Sequence, residues 1–481
     1  MLTAFLRQLW HVSAVHFNMV ALGMGMGYPS SLLPALRAPD SPIKLDLNAA
    51  SWISSCIGFS SIPGYIVSSW LMHAWGRRVT CLLMQVPGVL GLLCIYFAND
   101  FYLLLLGRLL GGFTGGGNVS LGSVVIGEFS SPQNRGMFLN LKTASLCTGS
   151  AIVHALGHFY HWRTLALMCT APYIISFAII CTWVESPAWL ASKNKFQKSQ
   201  DAFLFLRGDS DHSRREISDL IRTQRNKTQQ KKKKVCRLVL DFFKKFGRKD
   251  FYKPVFILTV GFILLEFSGR HIFPAYAADI INQIAGNKEE AFYYNLIIDI
   301  IIALSATISS IVVKLMRRRL VLFTTGFASV IVVLLLCVYL YLSAEGIISK
   351  ERSWVPITIF VLYFILVNQG SAPIPMALLG ELLPLEHRSV GSSVSGITIA
   401  LLLQFGLSVT PYLMQSVKVY GTFAVFAAMS SVCLTILYFV LPETKDRTLL
   451  EIENYFKTGR FDDIDEDDVE TKKMILTETK Q

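Results

Sequence analysis

Long apolar runs separated by short polar breaks dominate the chain, and the length of each run decides the element it predicts. Runs near Trp10 to Tyr28, Trp52 to Met72, Val79 to Ala98, Tyr102 to Ile126, Phe138 to Tyr160 and Leu165 to Val184 predict six helices long enough to cross a membrane. A second set predicts six more, near Pro254 to Ile281, Tyr294 to Val313, Leu320 to Leu342, Pro356 to Leu379, Val390 to Met414 and Tyr420 to Val440. The predicted organisation is an N-terminal six-helix bundle (1–185), a basic loop with short helices (186–253), a C-terminal six-helix bundle (254–441) and a polar tail (442–481). Composition agrees: of 481 residues 52% are hydrophobic and 16% charged. That is about 250 apolar side chains, enough for about twelve spans of about 20 residues. An ordinary soluble enzyme is excluded, and the fold class expected is an all-α polytopic membrane protein.

The net charge of +12 raises the question of a nucleic-acid partner, and its location answers it. From Ser186 to Lys253 there are 19 Lys/Arg against 7 Asp/Glu, a surplus equal to that of the whole chain. Basic residues in short loops stay on the cytoplasmic side, so this loop, with Lys231 to Lys234 in a row, marks that face, and an even number of spans on either side puts both termini there. Nucleic-acid binding would need stacking aromatics among the basic residues. Phe242, Phe243 and Phe246 fit the apolar side of a short helix better. The partners expected are the lipid bilayer, including anionic headgroups, and a small solute, for a monomeric chain that binds no nucleic acid. Eight of nine cysteines lie in apolar stretches and Cys236 lies in the basic loop, so no disulfide framework is expected. Arg7 is the one early base and no small-residue cleavage site follows, which makes the first apolar run a retained helix. From Asp462 the tail reads as disordered.

A duplicated half is visible in the motifs. Gly127, Glu128, Pro132 and Arg135 follow the fourth span as Gly380, Glu381, Pro384 and Arg388 follow the tenth. Gly76, Arg77 and Arg78 close the second span as Arg317, Arg318 and Arg319 close the eighth, and Glu185-Ser186-Pro187 ends the sixth as Pro442-Glu443-Thr444 ends the twelfth. The offsets are 253, 241 and 258 residues, the spacing of one repeated unit.

In this order and spacing the motifs resemble the sugar porters of the major facilitator superfamily, and within them are most similar to the insect facilitated trehalose and glucose transporter group. The residues that carry the resemblance begin with Ala50-Ser51-Trp52-Ile53, Gly76-Arg77-Arg78, Gly107-Arg108, Glu128 with Arg135-Gly136, and Glu185-Ser186-Pro187. They continue with Pro373-Ile374-Pro375, Gly380-Glu381, and Pro442-Glu443-Thr444-Lys445 running into Arg447-Thr448-Leu449. The resemblance implies a twelve-helix major facilitator fold, alternating access and a gating charge network. That network is Arg77, Arg78, Arg108, Glu128, Arg135 and Glu185 in the first half and Arg318, Arg319, Glu381, Arg388 and Glu443 in the second. Charges near a membrane face escape most of the desolvation cost when they pair across helices, and such pairs can lock two bundles closed at that face. The alternative is that they only mark topology. His73 stands where the family has Asp, and Lys314 and Arg317 where the second half has Asp and Gly, so both gates are expected to be paired less tightly. Ala188 likewise replaces an Arg.

Gly107, Gly111 and Gly115 recur at four-residue steps and predict close helix packing. A phosphate loop would need a preceding strand and a following Lys-Ser/Thr, and neither is present. The sequon Asn118-Val119-Ser120 is buried in the same helix and expected to be unused, as is Asn226-Lys227-Thr228 in the cytoplasmic loop. Ala202, Phe203, Leu204 and Leu206 before Arg207-Gly208 predict a short amphipathic helix under the bundle.

Sugar porters hold their substrate at the midplane with amides, which donate and accept at once as hydroxyls require, and with a Trp on the tenth span. The matching positions here carry His154 on the fifth span, Leu265-Glu266-Phe267-Ser268-Gly269-Arg270-His271 on the seventh, and Met376 after Pro-Ile-Pro; Tyr276 is retained. His154, Glu266, His271, Tyr276 and Met376 are therefore the expected substrate-binding residues, with His154 equally readable as a satisfied interior histidine. Met376 in place of Trp removes the stacking platform for a sugar's apolar face. Glu266 and Arg270 lie one helical turn apart, either as a structural ion pair or with Glu266 and His271 reading substrate, and Ser268-Gly269 should loosen the helix between them. Gly27-Tyr28 is followed by Pro29 where proton-coupled relatives carry Asp, so facilitated diffusion is expected. The function expected is a facilitative transporter of a sugar or polyol in the plasma membrane. A carrier of a charged organic solute and a non-transporting sensor on the same fold are the alternatives. No metal cluster, nucleophile motif or cofactor loop stands at workable spacing, so neither an enzyme nor a cofactor is expected.

Overall fold

The computed structural model describes residues 2–38, 43–44, 46–210, 213–218, 221–222, 249–285, 288–348, 354–383, 388–445, 452 and 455–456. Asn226, Lys231 to Lys234, Cys236, Phe242, Phe243, Phe246, Pro384, Arg447 to Leu449 and the tail from Asp462 lie outside the described residues. Among those described, every regular element is an α-helix.

The first five predicted spans fall on α1 (Leu2–Arg37), α2 (Leu47–Trp75), α3 (Arg77–Tyr96), α4 (Phe101–Phe129) and α5 (Pro132–Phe159). The sixth is a pair, α6 (Trp162–Met168) and α7 (Ala171–Cys181), and the loop then supplies α8 (Pro187–Ser192) and α9 (Phe196–Arg207). The seventh is also broken, into α10 (Lys249–Phe267) and α11 (Ile272–Ala285), followed by α12 (Lys288–Leu315) and α13 (Arg318–Ala344). The tenth divides into α14 (Trp354–Gln369) and α15 (Pro373–Glu381). The last two form one stretch, α16 (Arg388–Val440), turned at Lys418 by a single residue with φ 57° and ψ −175°. The helices α7 and α15 restart with a proline in their first turn, where the missing N–H costs nothing. Asp46 and Asp100 accept from Ala49 N and Leu103 N at 2.8 Å each and so begin α2 and α4 where the polar breaks were read.

Eight helical stretches among the described residues are long and apolar enough to cross a membrane by length and composition. The helices α1, α2 and α5 fall outside that group because polar residues interrupt them, and those residues face inward: Ser51, Ser54, Ser55, Ser60, Ser61 and Ser68 of α2 are all buried. Large apolar side chains such as Trp70, Ile331, Leu335 and Phe439 are instead exposed, a distribution that only a hydrocarbon solvent stabilises.

Helices α1 to α7 pack among themselves, as do α10 to α16, and the two halves meet where α2 lies along α16, α5 along α12 and α1 along α11. One apolar cluster runs from Tyr28, Leu32, Leu36 and Trp162 straight into the C-terminal half. A second, built on Val12, Phe129, Phe138 and Trp183, stays within the N-terminal half. Among the described residues the halves thus share one apolar core at one end and pack around separate ones at the other, called the independent end below. Under the independent end, α9 docks as the amphipathic pattern predicts, burying Ala202, Phe203 and Leu206 while Arg7 and Gln8 of α1 donate to the carbonyls of Phe205 and Leu206 at 3.0 and 3.2 Å. Asn118 is buried, as its place inside α4 requires. The close packing expected at Gly107, Gly111 and Gly115 falls in part on their neighbours: Gly112 and Gly116 lie against α2, while Gly111 faces open space.

Candidate transport site and charge networks

At the independent end, the charges of the N-terminal half converge on the junction of α2, α4 and α7. Arg77 Nη2 donates to Glu128 Oε1 at 2.6 Å and Ser186 Oγ donates to Glu128 Oε2 at 2.5 Å. Glu185 accepts the N–H groups of Arg77 at 2.8 Å and Arg78 at 3.3 Å. These open α3 and have no acceptor within their own helix, and the helix dipole favours an anion there. The C-terminal half repeats the arrangement role for role. Arg318 pairs with Glu381 at 3.1 Å, Thr444 Oγ1 donates to Glu381 Oε2 at 2.6 Å, and Glu443 accepts the N–H groups of Arg318 and Arg319 at 3.0 and 3.1 Å. Arg78 and Arg319 both turn to backbone carbonyls, of Cys181 and of Leu441 and Tyr438. Burial pushes the Glu185 carboxyl up from its ordinary range, against the N–H groups of Ser186, Arg77 and Arg78 and the charge of Arg77, which pull it down.

Four expectations change here. Both networks are closed despite His73 and Lys314, because each carboxylate finds backbone N–H or hydroxyl donors besides its arginine. The pairs formed among the described residues, Arg77 with Glu128 and Arg318 with Glu381, each tie together helices of one half. Arg108 does not belong to them: it lies 20 residues before Glu128 on α4, about 30 Å away at the helical rise. Buried there, it donates to the carbonyls of Ile53 at 3.0 Å and Gly25 at 2.6 Å, clamping α1, α2 and α4. Arg135 is exposed and, among the described residues, makes no ion pair. Arg388 opens α16, with its side chain outside the described residues.

At the other end polar groups join the halves. Arg37 pairs with Asp279 at 2.9 Å, Ala278 N donates to Ser30 Oγ at 2.9 Å, and Tyr412 donates to Asn48 Oδ1 at 2.5 Å. Gln404 donates to Ser55 Oγ at 2.9 Å while its Oε1 accepts from Phe59 N at 3.0 Å. Deeper in, His154 Nδ1 lies 2.6 Å from Asp299 Oδ2 and Nε2 lies 2.9 Å from the carbonyl of Pro274. Of its two readings, His154 is therefore the satisfied interior histidine, and its partners belong to the opposite half. Sequence reasoning passed over Asp299 and Gln404. The signal for Asp299 was present: one acid inside the apolar run from Leu296 to Ala303 must have a partner at that depth.

Cys147 stands seven residues before His154 on α5, two turns or about 10 Å toward the independent end, and it marks the level of the seventh-span break. There Gly269 takes φ +74°, a conformation open to glycine without strain, and Ser268 to His271 leave the helix. The loosening expected at Ser268-Gly269 is present, and it cancels the one-turn relation on which a Glu266–Arg270 pair depended. Glu266 Oε1 contacts His271 Nδ1 at 2.9 Å instead. Arg270 reaches Asn368 Oδ1 on α14 and Cys147 Sγ, the latter at 3.0 Å across the halves. Glu266 is 1% exposed and its Oε2 has no partner among the described residues. Tyr276, expected to touch substrate, is buried with its hydroxyl donating to the carbonyl of Leu407 at 2.8 Å, so it holds α11 to α16. Met376 is exposed just beyond the tenth-span break. The structure thus brings Glu266 and His271 together and leaves His154, Tyr276 and Met376 apart from them.

Two like helical halves, joined at one end and separately braced by charges at the other, with an unsatisfied carboxylate at a broken helix between, define a membrane transporter. The chain belongs to the Sugar (and other) transporter family, whose pattern it matches over residues 25–456. It is similar to the facilitated trehalose transporter Tret1-2 homolog of Drosophila simulans, with 28% identity over 414 residues covering 84% of this chain and 82% of that one. It is also similar to the facilitated trehalose transporter Tret1 of Bombyx mori, with 26% identity over 461 residues covering 94% and 87%. Its fold is similar to that of the xylose transporter XylE from E. coli in an inward open conformation, with a TM-score of 0.73 over 92% of this chain and 98% of that one at 16% identity. These findings bear out the sugar-porter resemblance and the major facilitator fold, and family membership favours a transporter over an enzyme, a sensor or a carrier of charged solutes.

Proposed function

We propose that the chain moves a sugar or polyol down its gradient by alternating access, with Glu266 reading a substrate hydroxyl. The observation that carries this reading is the unpartnered Oε2 of Glu266 at the seventh-span break: a buried carboxylate oxygen without a donor is costly until a hydroxyl supplies one. His271, at 2.9 Å on the other oxygen, orients the carboxylate. Relatives named facilitated trehalose transporters make trehalose and glucose the first sugars to test. The duplicated networks support halves at 1–185 and 254–441, joined by the cytoplasmic loop 186–253 and followed by a tail at 442–481. Arg77, Arg78, Glu128 and Glu185, with Arg318, Arg319, Glu381 and Glu443, are the braces of the cytoplasmic gate. In this topology the joined end is extracellular and the structure faces inward.

Purified protein in liposomes should take up radiolabelled trehalose or glucose to the external concentration and no further, with no effect of a protonophore. Accumulation that collapses with the protonophore would replace facilitated diffusion by coupled transport, and uptake of an organic cation alone would replace the sugar. For a plasma-membrane chain with both termini in the cytosol, tags near Lys231 and Glu466 should react only after cells are permeabilised, and a tag near Lys44 in intact cells. A Lys231 tag exposed on intact cells would invert the topology.

A further inference from the structure

We infer that His154 and Asp299 form a proton-binding site at the outer gate, so that closing the gate takes up one proton and opening it releases that proton at neutral pH. The count follows from the partners. Nε2 faces the carbonyl of Pro274 at 2.9 Å, with the carbonyl of Gly27 as a further acceptor, and a carbonyl only accepts, so Nε2 carries a hydrogen. Nδ1 and Asp299 Oδ2 are 2.6 Å apart, and two lone pairs cannot approach so closely without a proton between them. Whether nitrogen or oxygen owns it, the closed pair holds one proton more than a neutral imidazole beside a carboxylate. The two side chains are 2% and 3% exposed, so the pair is closed to bulk solvent.

The other ionisable groups around the pair are engaged elsewhere. On α1, Tyr28 donates to the carbonyl of Trp162 and Arg37 pairs with Asp279 of α11. Arg108 of α4 donates to the carbonyls of Ile53 and Gly25, and Tyr276 of α11 to that of Leu407. On α5 itself, Cys147 receives Arg270 of the α10–α11 break, and His158, one turn beyond His154, is exposed and stacks on Phe292. On α12, Asn295 is neutral.

His154 and Asp299 sit on opposite halves, so outward opening must separate them; the inference rests on the alternating-access reading in this respect. Once the two are apart, water reaches the imidazole, and an unperturbed histidine in water gives up its proton at about pH 6.5. Below about pH 6 the open state keeps the proton on histidine and both states hold the same number. Above about 6.5 the open state has lost it and the closed state has not, so the open-to-closed ratio should be flat in acid and rise by up to about tenfold per pH unit above that point. The proton returns to the side it came from, so external pH sets the gate without driving accumulation.

Spin labels at Tyr160→Cys and Tyr293→Cys, exposed at the outer ends of α5 and α12, report the gate by electron–electron distance in the full chain with Cys181 and Cys236 replaced by Ser. Between pH 5.5 and 8.5 the long-distance fraction should stay constant up to about 6 and then climb. His154→Gln, and independently Asp299→Asn should the first variant not fold, should make the fraction independent of pH, and His158→Gln should leave the dependence intact. Two populations in a ratio that ignores pH in the parent protein, or a dependence that survives in His154→Gln or Asp299→Asn or vanishes in His158→Gln, would overturn the site alone. One immobile distance at every pH would overturn alternating access with it.

Discussion

Sugar uptake should fall about tenfold to a hundredfold when Glu266 is replaced by Ala, with the protein still folded and inserted. A hydrogen bond to a charged group contributes about 1.5 to 3 kcal/mol, and each 1.4 kcal/mol is about a factor of ten. The side chain is 1% exposed and Oε2 has no partner among the described residues, so the truncation removes both an acceptor at the break and the anchor of His271. Glu266→Gln separates a hydroxyl reader from a cation reader. An amide still accepts from a sugar and can donate as well, so sugar uptake should stay within a few-fold, whereas uptake of a cation would be lost with the charge. Initial rates measured across substrate concentration decide the matter, and unchanged kinetics in Glu266→Ala would remove this residue from the site.

Charge reversal at Glu128 should be the most damaging change at the cytoplasmic end. Lys at that position faces the Arg77 guanidinium at the 2.6 Å contact, leaves Ser186 Oγ without its acceptor and turns a three-element brace into repulsion. Breaking a buried pair costs about 3 to 5 kcal/mol; with 15% and 19% of the two side chains exposed, screening reduces this to about 1 to 3 kcal/mol. Because the brace lies inside one half, the loss should appear as a lower melting temperature in detergent. Restoring the pair with Arg77→Glu on Glu128→Lys should recover most of it. A melting temperature unmoved by Glu128→Lys would reduce these charges to topological markers.

The networks show how far motif spacing carries. A Gly-Glu pair whose glycine stands eight residues before Arg135, and another placed alike before Arg388, announced a repeat, and the carboxylates Glu128 and Glu381 do play one role twice. Arg135 itself was misplaced by the same motif, because an exposed helix start leaves its side chain in solvent. Arg108 was grouped with Glu128 by motif although its distance along α4 already set it apart. At the site, Gly269 was legible as a weak point in the helix, but its effect on partners was not. Once the backbone turns there, Glu266 meets His271 in the next turn and Arg270 swings to Asn368 and Cys147.

The sequence by itself determined where the helices run, their membrane setting, the repeated motifs and the carboxylates Glu128, Glu185, Glu381 and Glu443 of the two networks. Apolar run length and the cost of an unpaired charge in hydrocarbon act locally and leave a pattern any reader of the chain can find. Only the tertiary structure decided which half each charge serves, that the halves meet at the end away from those charges, and that His154 answers to Asp299, 145 residues away. Such pairings depend on how two rigid bundles rest against each other, and a hydrogen bond of 2.6 Å between them is set by that docking, not by the spacing of residues along either bundle.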